Sequence, residues 1–238
     1  MKRGIVASSY KVPAGGSFTP ADLSPHSWWD VSLLSSVSFH SGSPTGPVTQ
    51  LRDISGNAHH LNNTDAPSSP DRSGTMNGLA TLVAAPGDQL EAYWDSAPNI
   101  LNQPITVAWA GIVPGSGFPT VFDNPYGNAF TVWHNQDGHI WQETATGTPF
   151  SAAHAGGTAD CFVHTFNGSS SVMRQNGSVI ATGDNGTTQL LGFRLTRARF
   201  GGASDGGTLG EIVIVNRVLT GGETTSLESY IKTKWGTL

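Results

Sequence analysis

Two carboxylates four residues apart, Glu91 and Asp95, bracket an aromatic pair, Tyr93-Trp94. Residues at i and i+4 of a strand project from one face. Glycoside hydrolysis needs two carboxylates facing each other across a sugar, and aromatic rings give sugars a surface to stack on. The spacing therefore raises hydrolysis as one chemistry to weigh. Ser96 and Pro98, however, place Asp95 in a turn, so the pair reads as two solvated edge carboxylates. Glu143 and Glu211 stand alone on strands. Gly202-Ala203-Ser204-Asp205-Gly206 matches a nucleophile-elbow string, but that motif needs a strand before it and a helix after it. Flanking glycines and a following strand make this segment a loop. No residue is assigned a catalytic role, and the chain is expected not to be an enzyme.

Asp53, Ser55 and Asn57 alternate like the oxygens of a calcium loop, which keeps calcium as the one candidate cofactor. The competing reading is an Asx-type turn in which Asp53 caps its own backbone. His59 and His60 are adjacent, so on a strand they point to opposite faces and cannot share an ion. His134, His139, His154 and His164 are scattered and read as loop or core histidines. Trp133 and Trp141 flank Asp137-Gly138, with His134 and His139 beside them. If exposed, Trp133, His134 and Trp141, with Tyr93 and Trp94, form a platform for sugar rings or a protein partner. Otherwise they are core residues.

The elements that would position these residues are strands. Ile105 to Val113 is apolar on both faces, as in a central strand covered on each side. Asp137-Gly138 and Asn176-Gly177 supply the positive φ of two tight hairpins. Shorter runs at Trp28 to Val31, Val48 to Ile54, Ala80 to Val83 and Leu90 to Trp94 precede them. Cys161 to Phe166, Leu191 to Phe200 and Leu209 to Val218 follow. One helix is predicted over residues 221–235. Thr220-Gly221-Gly222-Glu223 is a capping box, and Leu227, Tyr230, Ile231 and Trp235 share a face at helical spacing. Gly236 suits the left-handed C-cap. The pattern predicts an all-β, two-sheet antiparallel jelly-roll sandwich closed by one C-terminal α-helix.

Composition agrees. Charged residues make up 12% of the 238 residues, about half the usual share, and Gly (30) and Pro (14) are abundant. A net charge of −5 with no basic run argues against nucleic acid or anionic membranes as partners. The lone Cys161 lies in an apolar run and reads as a core thiol. No apolar stretch follows Lys2 and Arg3, so neither a signal peptide nor a membrane span is expected. The Asn-x-Ser/Thr strings at Asn62, Asn167, Asn176 and Asn185 then read as turn chemistry. Residues 1–26, with Pro13, Gly15, Gly16, Pro20 and Pro25 and no sustained period, read as an extended arm before a domain at 27–238. Ile5, Val6, Tyr10 and Phe18 would be its contacts on a neighbour.

The order of several motifs carries a resemblance. Trp29-Asp30 is followed by Asp53-Ile54-Ser55-Gly56-Asn57, Asn77-Gly78-Leu79-Ala80, the Ile105 to Val113 strand and Phe166-Asn167-Gly168. The closing segment is Gly210-Glu211-Ile212-Val213-Ile214-Val215-Asn216-Arg217, with Leu227 to Gly236. Over residues 26–236 the chain resembles the laminin G-like, concanavalin A-like domains of phage minor tail and capsid-surface proteins. Leu51 stands where that family usually has an aromatic residue. The resemblance implies a virion structural protein that assembles with copies of itself or with other virion proteins. It also implies loops available to host-surface glycans. A free carbohydrate-binding lectin is the alternative, and a glycan hydrolase the second.

Overall fold

The computed structural model describes residues 17–94, 99–115, 117, 119–126, 130–135, 137–195 and 207–237. The early strands are β1 (Ser27–Asp30), β2 (Val37–Phe39), β3 (Val48–Leu51), β4 (Leu61–Asn62), β5 (Asp71–Met76), β6 (Leu79–Ala84) and β7 (Leu90–Tyr93). Next come β8 (Ile105–Ile112), β9 (Thr120–Asp123), β10 (Phe130–Asn135), β11 (His139–Thr144) and β12 (Phe150–Ala153). The chain closes with β13 (Ala159–Phe166), β14 (Ser171–Gln175), β15 (Ser178–Gly183), β16 (Gly192–Leu195), β17 (Gly207–Val215) and the helix α1 (Gly221–Trp235).

The strands make two antiparallel sheets, as the patterning predicts. The first runs β15-β14-β13-β8-β17-β6-β5, with β1 also paired to β17; the second runs β12-β11-β10-β9-β16-β7-β4-β3-β2. β8 lies at the middle of the first sheet because both its faces are apolar. Ile105, Val107 and Trp109 enter the core between the sheets, while Ala108 and Ala110 enter a second core beneath the helix. β17 repeats the pattern, with Ile212 and Ile214 on one side and Val213 and Val215 on the other. Leu227, Ile231 and Trp235 of α1 fill that second core. The capping box holds: the Thr220 hydroxyl accepts from Glu223 N at 3.3 Å, and Thr220 N donates to Glu223 Oε2 at 2.8 Å. Gly236 closes the helix at φ 66°.

Trp29, Trp109 and Trp235 are buried, and Trp28 is half-buried. Cys161 is buried under the helix, and burial pushes its thiol pKa well up. The hairpin residues Asn176 and Gly177 sit at φ 51° and 95°. Of the residues assigned to the arm, Ile5, Val6 and Tyr10 lie outside the described residues. Phe18 packs with Leu23 in the core beneath the helix of its own domain. His26 N donates to Ile214 O at 2.8 Å, carrying the β1 ladder one residue upstream. The Gly202 to Gly206 string also lies outside the described residues.

Candidate functional site

The helix packs on the first sheet, so the outer face of the second sheet is the side it leaves uncovered. Strand alternation decides which residues reach that face. Trp133 and Trp141 are register partners on β10 and β11, stacked 5.5 Å apart at 9° and partly exposed. His134, the next residue along β10, necessarily points the other way. It is buried, with Nε2 2.7 Å from His154 O, and belongs to the core rather than to the platform with which the sequence grouped it. On β7 the same rule exposes Glu91 and Tyr93 and turns Ala92 and Trp94 inward. Tyr93 is 50% exposed and meets Tyr126 edge-on at 5.1 Å, whereas Trp94 is only 2% exposed and correspondingly offers no stacking face. β9 and β16 separate β10 from β7. At the usual strand spacing the two aromatic patches are therefore roughly 14 Å apart and form two sites, not one. Asp95, the partner that the spacing offered Glu91, lies outside the described residues.

Beside Tyr93 lies an open groove of about 660 Å³ at the β4–β7 end of the sheet. Glu91, Asn62, Asn63, Gln89 and Asn99 line it, with Trp94 and His59 among its deeper residues. Glu91 is in register with Asn62 on one side and Arg194 on the other. Asn63 is fixed by its own bonds, Nδ2 donating to Ser68 O at 2.7 Å and to Gln89 O at 3.0 Å. The second lining carboxylate, Asp65, accepts from the Ser68 hydroxyl at 2.8 Å. Ala58 on the rim holds φ 61°, an uncommon conformation for a residue with a Cβ.

Behind the groove, Asp53 organises the 53–59 turn. Its Oδ1 accepts from Trp28 N and Ser55 N, both at 2.9 Å. Its Oδ2 accepts from the Ser55 hydroxyl at 2.8 Å and from His59 N at 3.0 Å. Asn57 spends its amide on Pro25 O and His26 O, at 3.1 and 3.0 Å. Four donors of the chain thus occupy the carboxylate that a calcium loop would need. Among the described residues no group of three or more His, Cys, Asp or Glu is placed to hold a metal ion. The turn stacks His59 on His26 at 4.1 Å, with Trp94 edge-on to His26 at 4.7 Å. Burial, and then the neighbouring His59, push the His26 pKa down to about 4. His60 accepts from Asp53 N at Nδ1, 3.1 Å away.

Sequence reasoning missed the amide lining of the groove, because Asn and Gln between strands look like turn formers. It also missed the His26–His59 stack, which joins residues 33 positions apart. Glu91, Tyr93 and Trp94 are lining residues that the sequence does mark.

The architecture and groove define a two-sheet sandwich with a polar surface cleft. No protein-family model and no curated protein sequence matches the chain. Solved structures do match. Trypanosoma rangeli sialidase in complex with sialic acid is 11% identical, with a TM-score of 0.60 over 89% of this chain and 33% of that one. The ligand-binding domain of botulinum neurotoxin serotype D, in complex with N-acetylneuraminic acid, is 11% identical, with a TM-score of 0.61 over 92% and 55%. The binding domain of botulinum neurotoxin DC in complex with SialylT has a TM-score of 0.57 at 11% identity, over the same shares. The chain spans about a third of the sialidase and about half of the neurotoxin domains. At this identity the likeness is one of fold.

Proposed function

We propose that this chain is a non-enzymatic glycan-binding sandwich, carried on a bacteriophage particle as a minor tail or capsid-decoration protein. The observation that carries the glycan reading is the groove itself. It is open, polar and lined by amides and carboxylates, with exposed Tyr93 at its edge. Sugars need that combination: donors and acceptors for hydroxyls, and a ring face for the C–H side of the pyranose. The fold shared with proteins solved in complex with sialic acid supports it. The particle setting rests on the order of sequence motifs that resembles phage tail and capsid-surface domains. A binding role rather than hydrolysis is favoured by Asp65, which is engaged in its own turn and leaves Glu91 without a free second acid among the described lining residues.

A glycan array probed with the chain and with its Tyr93→Ala variant tests the binding role. Binding that the variant weakens is expected; an array on which nothing binds would remove the reading. Mass spectrometry of purified phage particles tests the setting, and a particle proteome lacking the chain would remove that part. The stacked Trp133–Trp141 pair favours a second use of the same sheet face, as a contact with another copy or another virion protein. Sedimentation of the chain and of Trp141→Ala would show it as a loss of self-association.

A further inference from the structure

We infer that the groove selects uncharged or amine-bearing glycans and turns away carboxylated ones, sialic acid included. The inference rests on the glycan reading above and names the class of ligand. The acidic residues of the described lining are Glu91 and Asp65, and no Lys or Arg contributes to it. The His60 ring is turned to the backbone, its Nδ1 accepting from Asp53 N at 3.1 Å. Arg194 is Glu91's register partner, yet its guanidinium is engaged elsewhere, with Nη2 3.2 Å from Asp123 Oδ2. The Glu91 carboxylate makes no hydrogen bond or ion pair with the described residues, and it points out of the sheet two positions from Tyr93. A carboxylate placed so is an acceptor for two neighbouring hydroxyls, or for an ammonium, of a sugar seated on the Tyr93 ring. The same charge repels a glycan carboxylate, and no Lys or Arg of the described lining offsets the repulsion.

The inference sets this chain apart from the sialic-acid complexes that share its fold. An array of matched pairs tests it, each neutral or amino glycan printed beside its sialylated or uronic-acid counterpart, read with the full chain and with Glu91→Gln. The expected result is at least tenfold weaker binding of the acidic member of each pair. Glu91→Gln should narrow that gap by threefold or more while leaving the fold intact by circular dichroism. Preferential binding of acidic members would overturn the inference and leave the glycan reading standing. A gap unchanged in Glu91→Gln would also overturn it. Absence of binding to every glycan would overturn both.

Discussion

The ammonium of Lys234, in the last turn of the helix, donates to the carboxylate of Asp30, in the first strand, at 2.5 Å. The two residues are 204 positions apart and both are buried. Glu211 on β17 completes the knot: its Oε2 accepts from Lys234 Nζ at 2.7 Å and from Trp235 Nε1 at 2.7 Å. Its Oε1 accepts from Trp28 Nε1 at 2.6 Å and from the Tyr230 hydroxyl at 3.1 Å. Burial and the nearby Asp30 push the Glu211 pKa up, against the pull of Lys234. Burial would lower the Lys234 pKa, but the two carboxylates raise it. The network joins β1, β17 and α1, elements from both ends of the chain.

Removing the cation should therefore cost more than removing a surface charge. Lys234→Met keeps the aliphatic length but leaves two carboxylates buried without their ammonium. Breaking a buried ion pair in this way costs about 3–5 kcal/mol. Urea unfolding of the two proteins at pH 7 measures it. A loss below about 1 kcal/mol would mean that solvent reaches the knot and screens it.

A second prediction concerns how Trp235 reaches that knot. The pairing of β17 with β8 shifts register between Leu209 and Glu211, which puts a bulge at Gly210. At that point the outer edge of β17 passes from β6 to β1, and Val31 N donates to Gly210 O at 3.0 Å. A Cβ on Gly210 would lie 2.7 Å from ring atoms of Trp235 and 2.8 Å from the Met76 methyl. Gly210→Ala should destabilise the chain by about 1–3 kcal/mol, the usual cost of overpacking a core. Thermal unfolding followed by tryptophan fluorescence checks it, and an unchanged midpoint would mean that the indole and Met76 give way to the added methyl.

Acid should weaken the sandwich through its interior histidines. His164 is buried among Trp109, Phe122 and Phe162, with Nδ1 donating to Gln142 Oε1 at 3.0 Å. Its Nε2 has no partner, and burial pushes its pKa down to about 3. The unfolded chain binds that proton near the ordinary value of 6.5 and the native chain does not. Stability is thus fully present above about pH 6.5 and is lost as pH falls from there towards 3. At pH 5 His164 alone should cost about 2 kcal/mol. His26, lowered to about 4, adds in the same direction. His164→Asn keeps a donor for Gln142 but does not titrate, so the difference in urea midpoint between pH 7 and pH 5 should shrink. An unchanged difference would clear His164 of the effect.

The sandwich was legible in the sequence because two periods with few exceptions determine it. β8 and β17 are apolar on both faces since each serves two cores, and α1 carries both its caps and its stripe between Thr220 and Gly236. Sheet order was not legible. β1 finds β17 only after the whole chain has been traversed, and nothing local in Ser27–Asp30 names that partner. The groove was half legible. Tyr93 and Glu91 stood out, but whether Trp94 joined them depended on strand parity at a place where Asp95 and Pro98 blur the strand end. His134 was misplaced for the same reason: a hairpin flags both flanking residues, and only one parity faces solvent.

The two aromatic patches should respond differently to truncation. Tyr93 is half exposed at the groove, where its ring meets Tyr126 edge-on. Tyr93→Ala should leave the unfolding midpoint nearly unchanged, since exposed substitutions stay within about 0.5 kcal/mol. It should weaken glycan binding about three- to tenfold, the worth of roughly one aromatic contact. Trp141 stacks on Trp133 across a strand pair, and its Nε1 is buried. Trp141→Ala removes that cross-strand stack and the apolar cover it gives the sheet, so it should cost about 1–2 kcal/mol of stability. Its glycan affinity should stay within about twofold of the parent, because two strands separate this patch from the groove strand. Titration calorimetry with the best array ligand, paired with urea unfolding of both variants, gives the two numbers for each. Affinity lost in Trp141→Ala and kept in Tyr93→Ala would move the binding site to the tryptophan pair.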